Sequence, residues 1–514
     1  MSDTDPPVLV VGAGLTGLAA GALLAWHGVP VRVVDRRPSQ SRHPRARGLH
    51  PRAMEVMRRL GVEETIRAAP SAVALARNDT VITTTSLADR ELARLDAGYF
   101  MGAQRKVGGL SPTGWCQCHQ AEVEPILRAR ALELGARVEH GVEMTDFRQD
   151  DRGVEVTLKH TADGTGETVR ASHLIAADGA RSGVRERLGM PFEGSGPFGR
   201  FVNIHFRADL SAALNGRRFI MAYIRNEHVS AGLMPLDNRS FWLLHLVLGP
   251  DDDARPSAER CRKLVRAAAG VPELDVDILG IAPWEASARV AARFREGRIL
   301  LLGDAAHVMP PTGSFGANTG ILEAHNLAWK LAAVRAGQAS DALLDTYDGE
   351  RRPAAAATVQ QAVLRNRDRQ RLNETPGARP DPRIRPDAVV WFGSDYASGT
   401  GRWADLPDGR PGTRAPHVPW PTAGADGSVL DLFGPRFVLL TGPEPADSGW
   451  RPAVQRLPLD VHALPGTKAC AAYGITPDGA VLVRPDGYVT WRSRTAVPAP
   501  TAAVAGALAD VLHP

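Results

Sequence analysis

Val8-Leu-Val-Val-Gly12-Ala-Gly14-Leu15-Thr16-Gly17 is a short apolar run that breaks into a glycine-rich turn, and its reading decides the fold of the N-terminal half. An unbroken apolar run of this length suits a strand buried on both faces of a parallel sheet. Leu18-Ala-Ala-Gly-Ala-Leu-Leu-Ala-Trp26 follows as a helix, and Val31-Arg-Val-Val34 as a second buried strand that ends in Asp35. Strand, helix, strand and terminal acid together make the pattern that binds a dinucleotide. Gly12 permits the tight turn, Gly14 lets the backbone approach a pyrophosphate, and Gly17 lets helix and strand pack closely. The helix N-terminus at Leu15 and Thr16 turns unpaired N–H groups and a partial positive charge towards the phosphates. Asp35 offers its carboxylate to a ribose hydroxyl, and Arg36, next in the chain, is a further cofactor-binding candidate.

A chain of 514 residues exceeds what one hydrophobic core supports, so three folded units are expected. Its net charge of +4 is spread among interspersed residues of both signs, which excludes a nucleic-acid-binding stripe. No stretch approaches the ~20 apolar residues that cross a bilayer. The opening Met1-Ser-Asp-Thr-Asp-Pro-Pro lacks the basic flank and apolar core of a secretory signal, so the expected location is the cytoplasm. The four cysteines do not make a disulfide framework, and Cys116-x-Cys118 has no second pair to hold a metal.

Two later segments repeat the theme of a buried strand ending in a polar turn: Leu174-Ile-Ala-Ala-Asp178-Gly179 and Arg298-Ile-Leu-Leu-Leu-Gly303-Asp304-Ala-Ala-His307. With the N-terminal glycine turn, and in this order, they resemble the three fingerprints of the FAD-dependent aromatic hydroxylases. The resemblance runs along nearly the whole chain, and it implies FAD as cofactor. It implies that Asp35 holds the adenosine ribose and Asp304 the ribityl hydroxyls. Gln120, in Gln120-Ala-Glu-Val-Glu124-Pro-Ile-Leu127, falls where that family places a glutamine on the ribityl and phosphate region. Asp178 falls in a motif tied to both FAD and the nicotinamide cofactor. Arg45 and Arg47 fall in the segment whose arginine meets the FAD pyrophosphate or the incoming NAD(P)H, and the sequence does not divide these roles between them.

The implied activity uses NADPH or NADH and O2 to hydroxylate a phenolic or polycyclic aromatic substrate through a C4a-hydroperoxyflavin. The same intermediate permits Baeyer–Villiger oxygenation or epoxidation, and a dehydrogenase or oxidase using the same FAD domain stays open. A halogenase of this fold carries W-x-W-x-I-P, and no two tryptophans here stand two residues apart. The chain shows a single glycine-rich βαβ unit, which fits a nicotinamide cofactor that docks transiently. His307 beside Asp304 falls in a structural slot of the Gly-Asp fingerprint.

After Pro310-Pro311 comes Thr312-Gly313-Ser314-Phe315-Gly316-Ala317-Asn318, then an amphipathic helix through Ile321, Leu322, Ala324, Leu327, Ala328 and Leu331. Gly316, Ala317 and Asn318 at its start are expected to face the flavin, where a helix N-terminus favours the anionic reduced ring. Pro311 joins the cofactor-binding and catalytic set. Many relatives carry Gly-Gln-Gly-Met where Ser314-Phe315-Gly316-Ala317 stands, a departure that would reshape the pocket beside the ring.

Alternating runs such as Arg200–Phe206, Phe219–Ile224 and Ser240–Val247 read as an antiparallel sheet that roofs the substrate. His205, Met221, His228, Trp242 and Phe315 are the pocket candidates, with His245 and Trp284 on the same strands, and Tyr223 is the candidate base for a substrate phenol. Residues 371–411 read as linker. Phe437-Val-Leu-Leu440 and the Arg484-Pro-Asp-Gly-Tyr-Val-Thr-Trp-Arg492 hairpin resemble the thioredoxin-like appendage of phenol hydroxylase and polyketide-tailoring hydroxylases. Cys470 is alone there, which excludes dithiol chemistry. The expected architecture is therefore α/β: a Rossmann-like FAD-binding domain (1–185 and 291–370), an antiparallel-sheet substrate domain (186–290) and a thioredoxin-like domain (412–514) without C-x-x-C. A homodimer is compatible with it.

Overall fold

The computed structural model describes residues 6–40, 43–96, 107, 109–249, 252–253, 255–374, 379–397, 399, 403–420, 427–443 and 449–514. The first five residues and 375–378 of the proline-rich stretch read as linker lie outside this set. Strand β1 (Val8–Val11) sits inside a six-stranded sheet, flanked by β2 (Val31–Asp35) on one side and Leu174–Ala176 on the other, both parallel to it. Ile299–Leu301 continues the parallel order beyond Leu174–Ala176, and Arg137–His140 pairs parallel with β2. The three fingerprint strands are thus neighbours, so Gly12, Asp178 and Asp304 emerge from the same edge of one sheet. Ligands of open α/β sheets bind at this carboxyl edge. Helix α1 (Leu15–Trp26) is almost entirely buried against the sheet.

The second sheet has eight strands. Its centre is β3 (Phe192–Arg207), β4 (Met221–Arg225), β5 (Ser230–Pro235), β6 (Phe241–Leu248) and β7 (Asp277–Ala291), in the spatial order β7-β3-β6-β5-β4 with antiparallel pairing. Thr80–Thr84 and Glu91–Asp96 extend it beyond β4, the first of them parallel. These two strands come from the span that the sequence assigned to the FAD-binding unit. Even-numbered side chains of β3 and β6, such as Val202, Ile204, Trp242 and Leu244, pack with the helix Ala258–Ala269 into one core. Odd-numbered side chains point to the opposite face, as the two-residue period of a strand requires.

Helix α2 (Phe315–Arg335) departs from the amphipathic expectation, since fifteen of its twenty-one residues are buried, including Glu323, His325, Asn326 and Lys330. The polar side is covered because α3 (Asp345–Glu374) and the C-terminal unit pack over it. That unit is a four-stranded sheet in the order Leu459–Ala463, Phe437–Thr441, Ala480–Val483, Val489–Ser493. The first two are parallel and the rest antiparallel, with helices after the first, second and fourth strands of the sequence. This is the thioredoxin-like arrangement. Its Arg484-Pro485-Asp486 turn docks on α2 and α3. Arg484 donates to Glu350 (2.6 Å) and to Asp486 (2.6 Å), Lys330 donates to Glu350 (2.8 Å), and Asn326 donates to both carboxylates. A buried charge is tolerated only when paired and hydrogen-bonded, and here each cation has its carboxylate.

Candidate active site

A groove of about 760 Å³ opens at the carboxyl edge of the first sheet. Gly12, Gly14, Leu15 and Thr16 form its floor, Asp35 and Arg36 one end, and Asp304 and Ala317 the other. Arg45, Gln120 and Asp178 line its sides. The glycines behave as their spacing requires. Gly12 has φ +107°, and a Cβ there would stand 2.2 Å from the Ala177 carbonyl oxygen. A Cβ on Gly17 would meet the Gly12 carbonyl at 1.8 Å, so its role is helix–turn packing. At Gly14 the nearest atom is 3.8 Å away, leaving room for a ligand to approach the backbone.

Three aspartates face this groove in different states. Asp35 accepts from the Ala13 N–H (2.8 Å) and from Arg37, whose Nη2 lies 2.9 Å away. Burial alone would raise its pKa, but the hydrogen bonds from Arg37 outweigh it and hold the carboxyl below its ordinary range. Asp304 is exposed into the open groove, and desolvation by the protein packed around it raises its pKa. Asp178 is likewise raised by burial, and its Oδ1 is buried without a partner. An unpaired buried acceptor costs stability unless a ligand supplies a donor. A polyol or ribose supplies such donors, and with the bare Gly14 backbone the groove fits a dinucleotide carrying a ribityl chain.

The Gly303-Asp304 turn is held from behind. Glu323 Oε2 accepts from the Gly303 N–H (2.9 Å), and Glu323 Oε1 lies 2.8 Å from His307 Nε2. Both side chains are fully buried, so His307 is the support of the turn, as its slot implied, and has no access to a reacting atom. Gln120 accepts from the Ala46 N–H (3.2 Å) and donates to Glu124 (2.6 Å), tying the arginine segment to the groove.

The structure divides Arg45 from Arg47. Arg45 lies in the groove, whereas Arg47 is half-buried on the odd-numbered face of the second sheet, where its Nη1 approaches the Ile220 carbonyl at 3.4 Å. Burial pushes its pKa down to about 10, with Tyr223 opposing the shift. Tyr223 in turn accepts a 2.6 Å hydrogen bond from Arg369 Nη1 of α3, and that guanidinium also lies 5.2 Å from its ring centre. Burial raises the Tyr223 pKa, and the two arginines work against that rise. Among the described residues, neither Arg47 nor Arg369 has a carboxylate partner. Arg369 carries no motif and sits in a long helix of ordinary composition, so nothing local in the sequence marked it.

Several expectations need correction. Trp242 has 0% exposure, donates from Nε1 to the Ala208 carbonyl, and belongs to the core on the far face of the sheet. His228 stands 69% exposed beside Glu227 in the turn between β4 and β5, off the sheet face that carries Tyr223. Phe315 is 2% exposed, its ring packed among Trp115, Ala362 and Trp391, so it is wall core and not a free pocket surface. The Asn318 side chain is spent within the protein: it accepts from the His50 N–H and donates to the Gly48 and Ser314 carbonyls. Pro311 has no group to titrate. Its carbonyl accepts from the Ser314 N–H, shaping the turn into α2 next to Gly316. His205 and Met221 stand on the same sheet face as Tyr223 and His245, with His205 edge-on to His43 at 6.3 Å.

Comparison with known proteins agrees with this geometry. Residues 5–362 match the model of an FAD binding domain, and residues 408–514 match that of the aromatic-ring hydroxylase C-terminal region. The chain is 39% identical to tetracenomycin A2 monooxygenase-dioxygenase of Streptomyces glaucescens, over 96% of this chain and 94% of that one. It is 38% identical to 4-methyl-5-nitrocatechol 5-monooxygenase of a Burkholderia species, over 99% and 98%. Among solved structures it matches a ternary complex of aklavinone-11 hydroxylase with FAD and aklavinone, with a TM-score of 0.88, 34% identity and full coverage of both chains.

Proposed function

This chain belongs to the FAD-dependent aromatic hydroxylases, and we propose that its own substrate is a polycyclic phenol bound as the phenolate. The observation that carries the reading is the pairing of two surfaces at one place. The dinucleotide groove ends at Ala317 and Pro283, and Pro283 belongs to β7, whose neighbouring Trp284 stands on the sheet face that carries His245 and Tyr223, with Arg47 and Arg369 beside Tyr223; in our reading this face is the floor of the substrate cavity. Arg45 and Arg47, two residues apart, reach into the two compartments.

FAD supplies hydride acceptance from NAD(P)H and activation of dioxygen when bound. The protein's part is placement and electrostatics. Asp35 would hold the adenosine ribose once Arg37 yields one carboxylate oxygen. The α1 N-terminus and Arg45 would hold the pyrophosphate, and Asp304 with Asp178 the ribityl and neighbouring hydroxyls. The α2 N-terminus has no side-chain cap, so its first N–H groups remain available to the ring edge. In the cavity, Tyr223 accepts from Arg369 and so directs its own O–H at the substrate oxygen. Two cations without carboxylate partners favour that oxygen as the anion, and a phenolate ring is the better carbon nucleophile. The relatives whose names specify polycyclic substrates support the large ring system, and four buried free cysteines accord with the cytoplasmic setting we propose. No helix among the described residues is long and apolar enough to cross a membrane.

The test is anaerobic reduction of the bound flavin by NADPH, with 1,8-dihydroxyanthraquinone, with catechol or with neither. Acceleration by the anthraquinone and not by catechol is expected. Acceleration by catechol alone would replace the polycyclic reading with a single-ring one.

A further inference from the structure

Across the second sheet, Tyr223, Gly232, His245 and Asn203 are direct neighbours on four adjacent strands. Strands lie about 4.8 Å apart, so Tyr223 and His245 are separated by about 10 Å of backbone, and the residue between them has no side chain. The side chain nearest that gap is Met221, whose Sδ lies 3.3 Å from where a Gly232 Cβ would stand, followed by the His245 Cβ at 3.8 Å, and a thioether is easily displaced.

The far side of the gap is unusually well defined. Asn203 Oδ1 is 3.1 Å from Trp284 Nε1 and 2.8 Å from His245 Nδ1. An indole N–H can only donate, so the Asn203 atom is the oxygen, and the His245 nitrogen facing the same oxygen must carry the proton. The ring is clamped as well: Phe201 stacks on His245 at 4.9 Å and on Trp284 at 4.6 Å. Burial, with Arg369 and Arg47 nearby, pushes the His245 pKa down to about 3, so the imidazole is neutral at physiological pH. Its Nε2 therefore carries a lone pair. Among the described residues this atom has no hydrogen-bond partner, and it is not sealed from solvent. A fixed tautomer, a rigid ring and an unused acceptor form a site for a donor on the substrate.

We infer that His245 is a specificity-determining residue whose Nε2 accepts a hydrogen bond from a second hydroxyl of the substrate, and that the Gly232 gap admits the ring system joining the two oxygens. This rests on the reading above that the cavity face is the substrate floor, with Tyr223 at the first oxygen. The chemistry selected is an aromatic ligand with one ionisable hydroxyl for Tyr223 and one un-ionised hydroxyl donor for His245. A methyl ether at the second position keeps the shape but loses the donor.

The experiment compares dissociation constants of 1,8-dihydroxyanthraquinone and its monomethyl ether, measured by quenching of protein fluorescence in the FAD-loaded enzyme. Wild type should prefer the diol by about fivefold, the worth of one neutral hydrogen bond. His245→Leu should abolish that preference while leaving the ether's affinity in place, and His245→Gln, which restores an acceptor near Nε2, should recover part of it. Gly232→Ala should keep the wild-type melting temperature and weaken both ligands. An unchanged diol preference in His245→Leu, or an equal loss of both ligands in His245→Leu and His245→Gln, overturns the assignment of His245. Tyr223→Phe separates the two levels: if it leaves both ligands unaffected, the reading of the floor itself fails, whatever His245 does.

Discussion

Replacing Arg369 by Met tests the electrostatic core of the site with a magnitude that follows from its geometry. In the wild type the guanidinium is 2.6 Å from the Tyr223 oxygen, and it has no carboxylate partner among the described residues. A phenolate about 5 Å from that charge, at an effective dielectric of about 20, gains about 3 kcal/mol. That corresponds to about 2 pKa units for the bound phenol. The charged hydrogen bond to Tyr223, ~1.5–3 kcal/mol, is also lost, but it acts on the substrate oxygen only through the orientation of the Tyr223 hydroxyl and is not added to the bound phenol's shift. Arg369→Met should therefore raise the pKa of bound 1,8-dihydroxyanthraquinone by about 1–2 units. Arg369→Lys should raise it less, because the charge remains but the planar fork is lost. The assay is the phenolate absorbance band of the bound ligand, titrated from neutral to alkaline pH in the FAD-loaded enzyme. An identical bound pKa in wild type and Arg369→Met would refute the reasoning, because it would mean that Arg369 does not act on the substrate oxygen.

Other consequences follow from the same geometry. Asp304→Ala removes the carboxylate at the ribityl end of the groove and should weaken FAD by ~1.5–3 kcal/mol, read from the fluorescence of released flavin. Arg484→Met leaves Glu350 and Asp486 buried without their shared cation. It should cost ~3–5 kcal/mol in urea unfolding, with the loss concentrated in the transition that reports the C-terminal unit. For His307, burial would lower the pKa, but the Glu323 charge and hydrogen bond raise it above its ordinary value. A folded pKa above the unfolded one gives stability that is fully present below the unfolded value near 6.5 and lost as pH rises through the folded value. The melting-temperature gap between wild type and Glu323→Gln should accordingly be widest in mild acid and narrow towards alkaline pH.

Much of this was legible in the chain because the cofactor groove is built from local patterns. The glycine turn, Asp35, Asp178 and Asp304 each end a buried strand, and strands of one parallel sheet deliver their ends to one edge. The substrate side resisted because its residues are brought together by register and not by spacing. Tyr223 was marked by its strand, but the partner that orients it, Arg369, comes from a helix 146 residues further on. Trp242 and His245 lie on the same strand, and only the alternation of faces separates a core tryptophan from a cavity histidine. Asn318 and Phe315 fall inside the expected cofactor loop, yet packing claimed their side chains. Asn326 and Lys330 fall on the polar side of what reads as an amphipathic helix, because nothing local announces that a remote Arg484-Pro-Asp turn will cover them.

The most direct test of hydroxylation is isotopic. The FAD-loaded enzyme is given NADPH, ¹⁸O2 and 1,8-dihydroxyanthraquinone, and the product is analysed by mass spectrometry. One ¹⁸O atom in a new ring hydroxyl, with NADPH consumed in step with the product, is the predicted result. NADPH consumption that yields hydrogen peroxide and unlabelled starting material, or a ring-opened ester carrying the label, would contradict aromatic hydroxylation of this ligand class.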